Sequence, residues 1–316
     1  MTINEYIAGA LAGICGVMIG HPFDTAKLQM QIRTTGDHKL TRAVDAFASV
    51  AAQGLKNGLF RGMLFPVVSY AAINSTFFGV YGNTLRLLEP DYTVRPTNSQ
   101  VYLAGCVAGI SQLLIACPVE VIKCTLQAQI PLTMPKSKGD NPLYTKPVMP
   151  RTYYKGPIEA SIHIFTNEGG MGFYKGMFAM FIRDVPSVGL YVMCYEVLHK
   201  FIFQHDLTDN KGVIAAIVAG GCAGCASWLS IMPFDVIKTR LQVDHGGRYK
   251  GFWNCAYLSV KRGGLAVLFA GTSITMLRAF PVNAVTFLVY SQVIRELDLI
   301  IPQPALETEA GSASDL

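Results

Sequence analysis

Pro22-Phe-Asp24-Thr-Ala-Lys27-Leu-Gln-Met-Gln31 returns, in register, as Pro118-Val-Glu120-Val-Ile-Lys123-Cys-Thr-Leu-Gln127 and as Pro233-Phe-Asp235-Val-Ile-Lys238-Thr-Arg-Leu-Gln242. Each copy places an acid two residues after the proline, a lysine five after it and a glutamine nine after it. Each copy also ends an apolar run with glycines thirteen and nine residues before the proline: Gly9 and Gly13, Gly105 and Gly109, Gly220 and Gly224. A period of about a hundred residues means three copies of one structural unit, each burying its apolar face against its neighbours. The expected units are 1–92, 97–205 and 211–300. The polar, acidic tail 301–316 is expected to be disordered.

Composition sets the medium. Of the 316 residues, 51% are hydrophobic and only 15% charged, with a mean hydropathy of +0.34; average soluble domains carry about 25% charge. Six apolar segments, near 5–32, 64–88, 101–129, 178–203, 213–243 and 273–298, are each long enough for a hydrocarbon core of about 30 Å. The predicted fold is an all-α membrane protein: six transmembrane helices in three pseudo-symmetric repeats around a central cavity. Basic amphipathic stretches at 41–55, 156–168 and 250–262 read as short surface helices. They lead into Phe60-Arg61-Gly62, Tyr174-Lys175-Gly176 and Phe269-Ala270-Gly271. The proline-rich segment 129–153 reads as a loop.

Other classes are disfavoured. The net charge of +5 comes without a dense basic stripe, so nucleic acid is not an expected partner. The eight cysteines lie mostly in apolar runs, which argues against a secreted disulfide framework. Cys222 and Cys225 have the spacing of a redox or metal pair but no companion pair, and read as small packing residues. No metal, cofactor or enzyme motif stands in a plausible context, and the N-terminus lacks a basic n-region.

Ionised side chains in a membrane must be paired or watered. Three acids and three lysines at equivalent positions can satisfy each other between repeats: Asp24 with Lys123, Glu120 with Lys238, Asp235 with Lys27. Gln31, Gln127 and Gln242 share a helix face with the lysines and are expected to brace each pair. Four-residue glycine spacing should let helices approach closely, and each proline should bend its helix. Such a ring closes one end of a cavity and reopens when the pairs separate.

With these motifs on the page, the chain resembles the mitochondrial carrier family (solute carrier family 25) over residues 5–298. The resemblance implies a monomer in the mitochondrial inner membrane, termini on the intermembrane-space side, cardiolipin contacts and alternating access, with the ring as matrix gate. It also implies an opposite, cytoplasmic gate, an aromatic–acid–x–x–base pattern. Here that pattern is eroded: Tyr81-Gly-Asn-Thr-Leu85 and Tyr290-Ser-Gln-Val-Ile294 lack it, and only Tyr195-Glu196-Val-Leu-His199 keeps the acid. The acid–glycine signature departs as well, offset at Gln53-Gly54 and lost at Gly263-Gly264, while Glu168-Gly169 matches.

Cargo should be read by residues that break the symmetry. Twelve residues before Tyr81, Tyr195 and Tyr290 stand Ser69, Arg183 and Arg278, followed by Tyr70, Asp184 and Ala279. Arginine holds a carboxylate in a fork, and Asp184 can balance an amine. The indole of Trp228 attracts ammonium groups, and Asn74 is a polar neighbour at similar depth. These residues ask for a substrate with both carboxylate and ammonium. Local stretches such as Gly20-His21-Pro22 and Arg183-Asp184-Val-Pro186 resemble the carnitine/acylcarnitine and ornithine-like subgroup, including the carriers of methylated basic amino acids. The primary expectation is transport of carnitine, acylcarnitines or similar amino-acid-like cations and zwitterions. The alternatives are basic amino acids (ornithine, lysine, methylated lysine or arginine) and a non-transporting interaction protein.

Overall fold

A computed structural model describes residues 3–33, 43–89, 97–130, 153–185 and 229–300. Among the described residues every regular element is helical. The elements are α1 (Ile3–Ile32), α2 (Ala43–Ala51), α3 (Leu64–Leu88), α4 (Asn98–Ala128), α5 (Pro157–Glu168), α6 (177–185), α7 (229–243), α8 (Phe252–Gly263) and α9 (Thr272–Ile300). Among the described residues four helices are long and apolar enough to cross a membrane. The fourth and fifth apolar segments are described only over α6 and α7. The loop at 131–152, the tail, Gly220, Gly224, Cys222 and Cys225 lie outside the described residues.

The helices run through Pro22 and Pro118 without interruption. α4 opens with a reciprocal cap: Gln100 Oε1 accepts from Thr97 N at 2.7 Å and from Thr97 Oγ1 at 2.9 Å. α3 buries none of its side chains, and Val68, Leu277, Phe280 and Phe287 are all more than half exposed. Such an apolar exterior is what a bilayer solvates.

Three small cores repeat one arrangement. Each joins the second half of an odd helix, its own surface helix and the start of the preceding repeat's even helix. Ala26 and Met30 of α1 meet Ala46 of α2 and Ile274 of α9. Val121 and Ile122 of α4 meet Ala160 and Ile164 of α5, with Phe65 of α3 against them. Ile237 of α7 meets Phe252 and Cys255 of α8 and Ala179 of α6. Each repeat is therefore completed by its neighbour, and the chain closes on itself where α9 packs on α1.

The turn after each surface helix shows how one extra residue is absorbed. Gly169 and Gly264 (φ 68° and 73°) are followed by 3₁₀ turns at Gly170–Tyr174 and Leu265–Phe269. In the first repeat the left-handed Gly54 stands one residue further from the aromatic-x-Gly motif. The turn there widens to a π-type turn at Leu55–Leu59, with Phe60 N donating to Leu55 O at 2.8 Å. The offset read in the sequence is thus a wider turn, and the glycines that follow fall back into register.

Those glycines, Gly62, Gly176 and Gly271, have φ of 79°, 77° and 88°. Each lies against the backbone of the next odd helix, where an added Cβ would sit 3.3–3.6 Å from the carbonyl oxygen of Lys123, Lys238 or Lys27. Positive φ and close approach both require glycine here.

A central charge ring and its cavity

α1, α4 and α7 bring the three motifs to one level. Lys123 Nζ lies 2.7 Å from Asp24 Oδ2, Lys27 Nζ lies 2.7 Å from Asp235 Oδ2, and Lys238 is paired with Glu120. Each lysine reaches the acid of the preceding repeat, so the pairs close a circle. They are largely withdrawn from solvent, where such pairs hold only if well matched.

The glutamines depart from the expected pattern. Gln31 Nε2 donates to Asp235 Oδ2 at 2.9 Å, bracing its pair. Gln127 instead donates to Thr25 Oγ1 at 2.8 Å, and its nitrogen lies 3.3 Å from His21 Nε2. Gln242 accepts from Cys124 Sγ at 3.3 Å and faces Met180 Sδ. The reason is local chemistry. The equivalents of Thr25 in the other repeats are Val121 and Val236, which offer no hydroxyl. His21 is fully buried, 2.9 Å from the Arg61 carbonyl and stacked on Phe60, so it packs the first repeat.

The ring lines a cavity of about 320 Å³, together with Arg183, Asp184 and Arg278; its charged lining is Asp24, Lys27, Glu120, Lys123, Arg183, Asp184, Asp235, Lys238 and Arg278. Arg183 and Arg278 do not point freely into it. Arg183 Nη1 donates to Asp235 Oδ1 at 2.8 Å, while Nε and Nη2 grip both oxygens of Asp184 at 2.5 and 3.0 Å. Arg278 Nε lies 2.9 Å from Asp24 Oδ1. Its N–H is not aligned as a hydrogen bond, so this contact is coulombic. Gly20 makes room for it: a Cβ there would come within 2.9 Å of Arg278 Nε. Five cations and four carboxylates line the cavity, which leaves one positive charge unmatched.

Other residues singled out in the sequence are placed elsewhere. Ser69, Tyr70 and Asn74 sit on α3 outside the lining of the charged cavity. Tyr70 packs its ring onto Gly13 of α1, and Asn74 Nδ2 donates to Tyr70 O at 2.8 Å. Trp228, Tyr195 and Glu196 lie outside the described residues. Gly13 thus serves a close contact, whereas Gly9 and Gly109 have nothing within 4 Å of a built Cβ. At those two positions the small residue leaves open space instead of joining helices, contrary to the expectation.

A second ring was not read from the sequence. Gln29, Thr125 and Arg240 each stand seven residues after the motif proline, and all three are buried. Gln29 Nε2 donates to Gln127 O at 2.6 Å, and Arg240 Nε donates to Gln31 O at 3.1 Å. Each satisfies a carbonyl at the C-terminal end of the next odd helix, where carbonyls have no partner within the helix. Thr125 departs, donating to Val121 O and lying 2.8 Å from His245 Nε2. Chemically unlike residues at one repeat position were the only available signal.

The mitochondrial carrier protein family matches the chain three times, over residues 1–92, 95–206 and 209–298. The chain belongs to the mitochondrial carrier family. Human solute carrier family 25 member 45 is 38% identical to the carrier over 302 residues, covering 93% of this chain and 99% of that relative. The bovine mitochondrial basic amino acids transporter is 36% identical over 313 residues, covering 98% and 97%. Human solute carrier family 25 member 48 is 36% identical over 298 residues, covering 91% and 93%. The carrier is therefore a multi-pass transport protein of the mitochondrial inner membrane.

Proposed function

We propose that the carrier moves an amino-acid-like metabolite, bearing both a carboxylate and a cationic group, across the inner membrane by alternating access. Basic amino acids are the best-supported cargo. The observation that carries this reading is the convergence of Arg183, Asp184 and Arg278 on the cavity that the charge ring lines. A substrate carboxylate competes for the arginine forks and a substrate cation competes for Asp184. Either event loosens the hold of Arg183 on Asp235 or of Arg278 on Asp24, and so couples cargo to the ring. In this reading the ring is the matrix gate, and Tyr195 and Glu196 belong to a weaker cytoplasmic gate. The carrier acts as a monomer in lipid, cardiolipin included, and performs no chemistry on its cargo.

A relative named for basic amino acid transport, similar over nearly the whole chain, supports the same cargo class. Carnitine carries the same two charges and is the second reading. A long acyl chain fits less well, because among the described residues Leu28 and Ile231 are the only large aliphatic side chains lining the cavity. The volume also stands at the lower end of small-molecule sites, roughly 300–1,000 Å³.

Thermal unfolding of the purified carrier with lysine, arginine, ornithine, carnitine and acylcarnitines tests the proposal, since a ligand of the folded state raises its apparent stability. A shift with at least one basic amino acid is expected. No shift with any compound in the panel contradicts the reading.

A further inference from the structure

The two arginines follow a rule that the first repeat breaks. Arg183 of the second repeat reaches the acid of the third, Asp235, at 2.8 Å. Arg278 of the third repeat reaches the acid of the first, Asp24, at 2.9 Å. By the same symmetry the residue at this position in the first repeat should serve the acid of the second, Glu120. That residue is Ser69, which is short and uncharged. Among the described residues Glu120 is paired directly with Lys238 alone; Arg183 acts on it only through space, without the direct contact that an arginine makes to each of the other two acids. Its side chain remains 32% exposed, against 24% for Asp24 and 10% for Asp235.

We infer that Glu120 is the specificity-determining carboxylate for the distal cation of the cargo, an ammonium or guanidinium, which occupies the place a third arginine would fill. The inference rests on the cargo reading above and adds to it a second acid, so that Asp184 and Glu120 divide the α-amine and the side-chain cation. A cation there completes the three-fold pattern of one lysine and one further cation per gate acid. A neutral side chain leaves Glu120 with Lys238 as its one direct ionic partner among the described residues. Discrimination then comes from a charge-assisted hydrogen bond that only a cationic cargo makes. It also comes from the unpaired oxygen that a neutral analogue leaves behind.

Uptake of arginine and of citrulline into proteoliposomes by the full-length carrier tests this, since citrulline keeps the shape of the guanidinium without its charge. The wild type is expected to prefer arginine in kcat/KM by about tenfold or more, the discrimination that one charge-assisted hydrogen bond supplies. Ser69→Arg installs the missing arginine and should lower that preference to about threefold or less, through the KM for arginine. Should that variant not fold, the neutral couple Glu120→Gln with Lys238→Gln must show the same loss of preference. A preference unchanged in whichever of these variants folds overturns the inference. Equal wild-type uptake of arginine and citrulline overturns it while leaving the cargo class standing. No wild-type uptake of either compound overturns the cargo reading together with it.

Discussion

Arg183 Nη1 and Asp235 Oδ1 are 2.8 Å apart, so the arginine proposed to hold the cargo in the second repeat is hydrogen-bonded to a charge-ring acid of the third. The same acid holds Lys27 and Gln31. In the proposed mechanism cargo recognition and gate closure therefore share one carboxylate. Arg183→Gln is expected to reduce uptake by at least about a hundredfold, since it removes both the fork and a partner of Asp235. Proteoliposome uptake, with thermal unfolding to verify folding, measures this; uptake within about threefold of wild type would remove Arg183 from the site.

Asp184 is gripped by Arg183, whose bidentate contact holds both of its oxygens. Asp184→Asn keeps the shape and deletes the charge that would balance a substrate amine. Uptake of basic amino acids should fall by more than about tenfold, with the unfolding midpoint close to wild type. Unchanged uptake would reassign Asp184 to structure.

The ring can be read by pairwise mutation. Lys238 is 5% exposed and leaves Glu120 without its partner when removed. Lys238→Gln should cost between about 1 and 3 kcal/mol, between the values for exposed and buried pairs. Adding Glu120→Gln should return part of that stability, since the unpaired charge is then gone. A double variant less stable than the single one would contradict pairing.

Much of this architecture was legible because the chain states it three times. The pairs of Asp24, Glu120 and Asp235 with their lysines follow from equal spacing and from the cost of unpaired charge in a membrane. The glutamines were harder to read. Where Gln127 goes is decided by Thr25, a hydroxyl 102 positions away that the other repeats replace with valine. Gln29 and Arg240 were missed because a ring built from glutamine, threonine and arginine has no common letter. Gly20 is a through-space matter: its use is to let Arg278 reach Asp24, and nothing local announces that.

Gly20 accordingly gives a prediction of its own. Gly20→Ala would place a methyl against the guanidinium of Arg278, within 3.1 Å of both Nε and Nη2. Arginine is flexible, so the fold should survive while Arg278 is displaced from Asp24. KM for a carboxylate-bearing cargo should rise by about threefold to tenfold, and an unchanged KM would show that Arg278 does not need this path.

Cys255 supplies a check on the surface helices. It is fully buried between α8 and α7, and burial pushes its thiol up to about 11. The thiolate is the reactive form, so at pH 8 alkylation should be slow and should accelerate as pH approaches 11. A variant keeping only Cys255, followed by mass spectrometry, measures this. Rapid labelling of the folded protein at pH 8 would place α8 away from α7.

The central claim is that cargo with both a carboxylate and a cation displaces Arg183 and Arg278 from the gate. Uptake of labelled arginine, lysine, ornithine and carnitine into proteoliposomes holding the wild-type carrier tests it most directly. The account predicts saturable uptake of at least one basic amino acid, lost in Arg183→Gln. Uptake that survives unchanged in Arg183→Gln, or no uptake of any of the four, would contradict it.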